Sequence, residues 1–98
     1  MSRLVWVSDP GHAWLSVSIA DVEKVGLSPK SFSNYSYVSR DTNRLYLEED
    51  CDAVVFIKAY VEKFGRAPVI REGRPSDKSS YVRSLPSIGH YDEVKFFA

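Results

Sequence analysis

The strongest constraint on the fold is the alternation of side chains on either side of a short polar turn. Residues 35–39 and 44–48 both alternate with a period of two, and residues 40–43 between them are rich in turn formers. In the second segment, Leu45 and Leu47 share a face that is opposite to the face of their neighbours. A period of two is typical of a half-buried β-strand, so these segments predict an antiparallel hairpin.

A second hairpin is predicted near the start of the chain. Residues 3–8 are mostly β-branched and aromatic, residues 9–11 (Asp-Pro-Gly) are a strong turn signal, and residues 12–18 alternate again. In that last segment Leu15 lies on the apolar face, and Trp14 lies on the opposite one. The two hairpins together supply four strands.

Both hairpins are followed by segments with helical spacing. A short helix is predicted to begin after Ser18, whose hydroxyl caps it, and to end at Gly26. A longer helix is predicted over residues 51–64, ending at Gly65. The predicted core-facing seam of this helix consists of Val54, Ile57, Val61 and Phe64. The residues predicted to widen this stripe are Ala53, Phe56 and Tyr60.

These elements define an α+β fold, with an antiparallel sheet of about four to six strands and two helices on one face, in the order ββα-ββα-β. The 98 residues form a single domain, residues 1–98, because a second core would not fit. Further strands are expected over residues 67–71 and, as a short one, 80–85. The apolar tail, residues 89–98, is expected to pack as a last strand or to dock against a partner, so a homodimer is an open expectation.

The composition excludes several classes of function. Thirteen lysines and arginines balance thirteen aspartates and glutamates, and zero net charge is unlike that of a generic nucleic-acid binder or an acidic DNA mimic. The longest apolar run, residues 53–57, is too short to span a bilayer, so no membrane partner is expected. A single cysteine allows no internal disulfide, and residues 1–3 lead into a strand without the apolar stretch of a secretion signal. We therefore expect a cytoplasmic protein.

Residues with catalytic or metal-binding chemistry occur without a recognisable motif. An acidic cluster precedes the long helix and consists of Glu48, Glu49, Asp50 and Asp52. Carboxylates suit a hard metal ion, but consecutive residues entering a helix point in different directions, so we interpret the cluster as N-capping by Asp50 and as acids that complement the helix dipole. A nucleophile built from Cys51 with His12 or His90 has carboxylates beside the thiol, which oppose its ionisation. We expect no catalytic residue, no metal and no cofactor.

Surplus aromatic and basic residues indicate binding instead. Trp14 and Tyr46 alternate out of phase with the leucines of their strands, so we expect them, with Tyr37, on an open face of the sheet. Such a face is typical of an interaction surface, and cross-strand packing is the alternative. Residues 66–83 carry five basic against two acidic residues. The basic side chains expected to contact a partner are Arg71, Arg74 and Arg83.

Two segments and a short one between them resemble phage sequences. Asp9-Pro10-Gly11-His12-Ala13-Trp14-Leu15 and Tyr46-Leu47-Glu48-Glu49-Asp50-Cys51-Asp52-Ala53, joined by Tyr35-Ser36-Tyr37, are similar to segments of short uncharacterised bacteriophage and prophage proteins. The resemblance covers about residues 6–60, and that group usually has glycine where this chain has Ala13. It implies a mobile-element origin and the cytoplasm of an infected bacterium, and it carries over no catalytic residue.

The leading hypothesis is a non-catalytic protein that binds a bacterial host protein complex, with a defence system such as CRISPR–Cas as the candidate target. Small phage proteins without a catalytic motif often act in this way, which is an argument by association. A nucleic-acid-binding accessory protein and a binder of a small nucleotide or metabolite are the alternatives. Binding that weakens steeply with salt would indicate the nucleic-acid-binding protein. A ligand-dependent rise in melting temperature would indicate the binder of a small nucleotide or metabolite.

Overall fold

A computed structural model describes residues 3–73 and 80–89 of the chain. The strands are β1 (Leu4–Ser8), β2 (Ala13–Ser18), β3 (Tyr37–Ser39), β4 (Arg44–Glu48) and β5 (Ile70–Glu72), and the helices are α1 (Ile19–Lys24) and α2 (Ala53–Phe64). Short 3₁₀ helices occupy Pro29–Ser31 and Tyr81–Ser84. The predicted α+β class is confirmed. Residues 90–98, on which the predicted tail strand and homodimer contact fall, lie outside the described residues, so both stay predictions.

The sheet has five strands in the order β3-β4-β2-β1-β5, and it is mixed rather than wholly antiparallel. Both predicted hairpins form, and β2 joins them by pairing antiparallel with β4. The expectation of an antiparallel sheet is wrong for β5, which pairs parallel with β1. β4 already runs parallel to β1, because both are antiparallel to β2. Since α2 crosses over between β4 and β5, it returns the chain to the same end of the sheet, and β5 therefore runs in the same direction.

The main core lies between one face of the sheet and the two helices. The alternating apolar residues of β2 and β4 form its floor, where Leu15 and Leu47 are directly paired. Val22 of α1 and Ala53 and Phe56 of α2 pack against them, and all five side chains are fully buried. The prediction of two helices on one face is confirmed.

The buried stripe of α2 differs from the predicted seam. Of the four predicted residues, Val54 is 55% exposed, Val61 and Phe64 are also exposed, and only Ile57 packs against the core. The residues predicted to widen the seam form the buried stripe: Ala53 and Phe56 are fully buried, and Tyr60 packs against the core. Because the first turns of α2 are apolar on nearly every side, spacing alone cannot choose between two stripes that share Ile57.

Residues 80–88, which we call the cover segment, lie on the second face of the sheet. Val82 is fully buried there against Trp14 and Tyr46, and Tyr37 packs at the side of this cluster. Trp14 and Tyr46 are only 2% and 6% exposed, so the expectation of an open aromatic face is wrong. Alternation places both residues on the correct face, but it contains no information about a distant segment that packs onto that face.

The cover segment begins with a 3₁₀ helix and not with the short strand predicted over residues 80–85. It then runs along the outer edge of the sheet. Val38 of β3 donates its backbone N–H to the carbonyl of Pro86, and Ile88 donates to the carbonyl of Ser36, both at 2.9 Å. These bonds satisfy backbone groups that an edge strand would otherwise leave unpaired.

Candidate functional site

The turn between β1 and β2 is built around the carboxylate of Asp9. Its Oδ1 accepts hydrogen bonds from the backbone N–H groups of Gly11 (2.9 Å) and His12 (3.0 Å). This local arrangement is the reason why aspartate is a common turn residue. The turn places the imidazole of His12 beside the indole of Trp14, with ring centroids 6.1 Å apart.

The same carboxylate attaches the cover segment to this hairpin. Oδ2 of Asp9 accepts from the backbone N–H of Ser80 (2.9 Å) and from Nε of Arg83 (2.7 Å), and Nη2 of Arg83 donates to Oδ1 at 3.0 Å. The guanidinium also lies 5.3 Å from the centroid of the Trp14 ring. Arg83 holds the pKa of the buried Asp9 carboxyl well below its usual range, and Asp9 in turn raises the pKa of the Arg83 guanidinium. Both groups are therefore charged at neutral pH.

The chain leaves β4 through a turn that is capped by the carboxylate of Glu48. Its Oε2 accepts hydrogen bonds from the backbone N–H groups of Asp50 (3.0 Å) and Cys51 (2.9 Å). The prediction that Asp50 caps the long helix is wrong, because the turn continues through Asp52 and α2 begins only at Ala53. Asp50 itself is exposed.

Asp52 ties the start of α2 to the loop before β3. Its carboxylate accepts hydrogen bonds from the backbone N–H (3.1 Å) and hydroxyl (2.7 Å) of Ser33 and from the hydroxyl of Ser36. The Ser36 hydroxyl accepts in turn from the backbone N–H of Glu48 at 2.9 Å. These bonds hold Tyr35, which lies between the two serines, beside the turn that follows β4.

Four segments of the chain meet at an open cleft of about 310 Å³, which we call the aromatic cleft. Its walls include His12 and Trp14 from the first hairpin, Tyr35 and Tyr37 from the entry to β3, Glu48, Asp50 and Cys51 from the turn after β4, and Arg83 from the cover segment. Apart from Arg83, these residues lie within residues 9–15, 35–37 and 46–53. The segments are far apart in sequence, so the cleft exists only in the folded chain.

The environment of Cys51 opposes nucleophilic chemistry in the aromatic cleft. The side chain is exposed, but its hydrogen bond with Glu48 raises the pKa of the thiol, and burial and the charges of Glu48, Asp52 and Asp50 raise it further. The thiolate is the reactive form of cysteine, and a raised pKa reduces its fraction at neutral pH. The raised pKa thus makes the thiol of Cys51 a weak nucleophile at neutral pH.

We expect Cys51 to react slowly with thiol reagents in spite of its exposure. Its rate with a disulfide reagent at about pH 8 should be several-fold below that of free cysteine, because less of it is thiolate. Glu48→Gln removes the charged acceptor and should raise the rate, whereas Glu49→Gln is the control, since that neighbouring acid does not contribute to the shift. A rate equal to that of free cysteine in the unchanged protein would contradict the assignment.

The structure brings only some of the predicted contact residues to one place. Those that line the aromatic cleft are Trp14, Tyr37 and Arg83. Tyr46 lies instead in the cluster under the cover segment, and Arg71 is exposed on β5, an edge strand of the sheet. Arg74 lies outside the described residues. Their part in partner binding stays a prediction.

Tyr35 is a cleft residue that was not among the predicted contacts. Its side chain is 70% exposed where it lines the cleft. His12, which the sequence offers only as a partner of a Cys51 nucleophile, also lines the cleft. Membership of the distinctive segments at residues 9–15 and 35–37 was the available signal for both residues, since function concentrates on loops held by a rigid scaffold.

The fold and the cleft define this chain as a small α+β protein with a mixed five-stranded sheet and an aromatic cleft beside its cover segment. No protein-family model matches the chain, and no curated protein and no solved structure matches it. Within the described ranges, no helix is long and apolar enough to cross a membrane. In that same part of the chain, no three His, Cys, Asp or Glu side chains are grouped so that they could hold a metal ion.

Proposed function

We propose that the protein is a non-catalytic binding protein that contacts a bacterial host protein through the aromatic cleft. The observation that carries this proposal is the exposed ring of Tyr35 at a cleft of about 310 Å³. A cleft of this size admits a side chain of a partner, and tyrosine is among the residues that contribute most to binding energy at interfaces. Cys51, held as a protonated thiol, supports binding over catalysis.

The charges of the cleft favour a basic group on the partner. Glu48 and Asp50 contribute two negative charges to its walls, whereas the positive charge of Arg83 is neutralised by Asp9. The face of the Tyr35 ring attracts cations as well. The same carboxylates repel the phosphates of DNA and RNA, so a protein partner is favoured over nucleic acid at this site.

The walls of the cleft are already held in place by hydrogen bonds. Asp9 fixes the turn that carries His12, and Glu48 fixes the turn that carries Cys51. Binding to such a site costs little ordering of the backbone, which favours affinity.

The class of target follows from the resemblance to phage proteins. A protein of this kind that binds without catalysis is suited to block a defence complex of the host, and a CRISPR–Cas complex is the specific target class that we propose. Because no turnover is involved, one molecule of the protein inactivates one complex. Inhibition is therefore expected to rise linearly with added protein and to stop at a fixed molar ratio.

We expect Tyr35→Ala to weaken binding of the partner by at least about tenfold, since it removes the exposed ring at the cleft. The tagged chain is incubated with nuclease-treated bacterial lysate, the retained protein is identified by mass spectrometry, and that protein is then purified and titrated by calorimetry. Val69→Ala is the matched control, because Val69 is an apolar side chain, 86% exposed, that does not line the cleft.

The two variants distinguish specific binding at the cleft from nonspecific association through exposed apolar side chains. Equal affinities of Tyr35→Ala and the unchanged protein would show that the cleft is not the site. Retention that disappears after nuclease treatment would replace the protein partner with nucleic acid. Both variants should keep the melting temperature of the unchanged protein, because both side chains are largely exposed.

A further inference from the structure

A second cleft, of about 260 Å³, lies on the face of the sheet against which the cover segment packs, and the proposed function does not use it. We call it the basic cleft, because two arginines and no acidic residue line it. Its walls are Arg3, Val5, Val7, Ser16, Arg44 and Tyr81. It shares no residue with the aromatic cleft.

The guanidinium of Arg44, at the start of β4, is fixed by three hydrogen bonds to uncharged oxygens. Nε donates to Oγ of Ser16 at 2.8 Å, and Nη2 donates to the backbone oxygens of Ser16 (3.0 Å) and Arg3 (2.7 Å). A guanidinium has five N–H donors. The two donors of Nη1 are therefore left without a partner among the described residues.

The positive charges of the basic cleft are not neutralised within the described chain. Neither Arg44 nor Arg3 forms an ion pair with a described residue. The hydrogen bond from Arg44 to the backbone of Arg3 places the two residues side by side. Both arginines line the same cleft. Guanidinium groups attract an oxyanion, and their fork geometry matches phosphate.

The opposite wall of the basic cleft is apolar and aromatic. The ring of Tyr81 is 59% exposed and stands edge-on to Tyr46, with centroids 5.8 Å apart and planes at 89°. Its hydroxyl donates to that of Tyr46 at 3.1 Å. Burial, and then this hydrogen bond, raise the pKa of Tyr81 to about 12, so the phenol stays neutral and adds no negative charge beside an anion.

We propose that the basic cleft binds a nucleotide, with its phosphate on the guanidinium groups of Arg44 and Arg3 and its base against the ring of Tyr81. An aromatic ring beside two arginines suits a ligand that combines an oxyanion with a flat ring. A cleft of about 260 Å³ is slightly smaller than most ligand sites, which limits the occupant to a small molecule such as a mononucleotide that is only partly enclosed.

The test is a titration of the ¹⁵N-labelled full chain with AMP, followed by backbone amide shifts, with adenosine and inorganic phosphate as separate probes. AMP should bind at sub-millimolar to millimolar concentration and shift the amides of Ser16 and Arg44, and each of the other two probes should bind at least about tenfold more weakly. Arg44→Gln should weaken AMP binding by about tenfold or more. Arg40→Gln is the matched control, because Arg40 is exposed and paired with Asp41 outside the cleft.

Arg44 also joins neighbouring strands, so the melting temperature of Arg44→Gln is measured to check that the variant is folded. Arg3→Gln is measured as a second variant, because it changes only an exposed side chain. Arg3→Gln should weaken AMP binding several-fold with no change in melting temperature. The proposal is overturned if AMP does not bind, if adenosine or phosphate alone binds as tightly as AMP, or if neither arginine variant weakens binding. Binding of a short single-stranded oligonucleotide without binding of AMP would also overturn it, in favour of nucleic acid.

Discussion

Trp14→Ala is expected to lower the free energy of unfolding by about 3–5 kcal/mol, which is the usual cost of truncating a buried large aromatic residue. Trp14 is only 2% exposed, and its ring contacts Tyr37 edge-on, with centroids 6.2 Å apart. Arg83 lies over the same ring. Equilibrium unfolding in urea, followed by circular dichroism, measures the loss. Since a small domain has only about 5–15 kcal/mol to lose, this single change removes a large part of its stability.

Two further variants make this result interpretable. Tyr35→Ala removes a neighbouring aromatic ring that is 70% exposed, and it should change the free energy of unfolding by less than about 0.5 kcal/mol. Trp14→Phe keeps a ring in the cluster and should remain folded if the alanine variant does not. A Trp14→Ala protein as stable as the unchanged chain would contradict the packing of the cover segment. Because Trp14→Ala is expected to destabilise the fold, loss of partner binding in this variant does not by itself identify Trp14 as a contact.

The hairpins were predictable because their information is local. Strict alternation in β2 and β4 places Leu15 and Leu47 on one face and Tyr46 on the other, whatever the rest of the chain does. Ser18 and Gly26 similarly determine the ends of α1 by local hydrogen bonding and backbone conformation. Strand and helix positions were thus recoverable from patterns of a few residues.

What could not be predicted depends on contacts between distant segments. α2 is apolar around most of its first turns, and only the position of the sheet determines that Phe56 is buried and Val54 exposed. The direction of β5 depends on the crossover through α2, and nothing in residues 70–72 specifies it. Burial of Trp14 depends on Val82, which no periodic pattern connects to it.

In the candidate site, too, local patterns were predictable and contacts between distant segments were not. Trp14, Tyr37 and Arg83 are predictable from the sequence as members of an open sheet face and a basic stretch, but not as walls of one cleft. Asp9 and Arg83, whose ion pair brings the cover segment to the first hairpin, are 74 residues apart. Residues that meet over such separations leave no spacing signal in a single sequence, so the aromatic cleft could be recognised only in the folded chain.

Asp9→Asn is expected to release the cover segment from the sheet and to lower the melting temperature by at least several degrees. The amide oxygen can take the place of Oδ1 and still accept from Gly11, His12 and Nη2 of Arg83. The NH₂ group then faces the N–H of Ser80 and Nε of Arg83, so the two hydrogen bonds to Oδ2 and the charge of the ion pair are lost. Amide hydrogen exchange should therefore accelerate in the cover segment. Thermal unfolding and exchange mass spectrometry measure the two effects.

The control for this variant is Asp41→Asn, because Asp41 belongs to an exposed ion pair with Arg40 at 3.9 Å. Such surface pairs contribute little to stability, so neither the melting temperature nor the exchange of the cover segment should change. In a double-mutant cycle, Arg83→Gln combined with Asp9→Asn should cost less than the sum of the single changes, because either single change already removes the ion pair. Additive losses would show that the ion pair does not hold the segment.

The ion pair also predicts how stability depends on pH. The pKa of Asp9 is lowered in the folded protein from an ordinary value of 3.8, so the carboxylate stabilises the fold fully above that value. As the pH falls below 3.8 towards the lowered pKa, the unfolded chain takes up the proton first, and the stabilisation is lost. The difference in stability between the unchanged protein and Asp9→Asn should therefore be constant from neutral pH down to about pH 5 and should shrink below pH 4. A difference that stays constant into that acid range would mean that Asp9 has no charge-dependent role in holding the cover segment over Trp14.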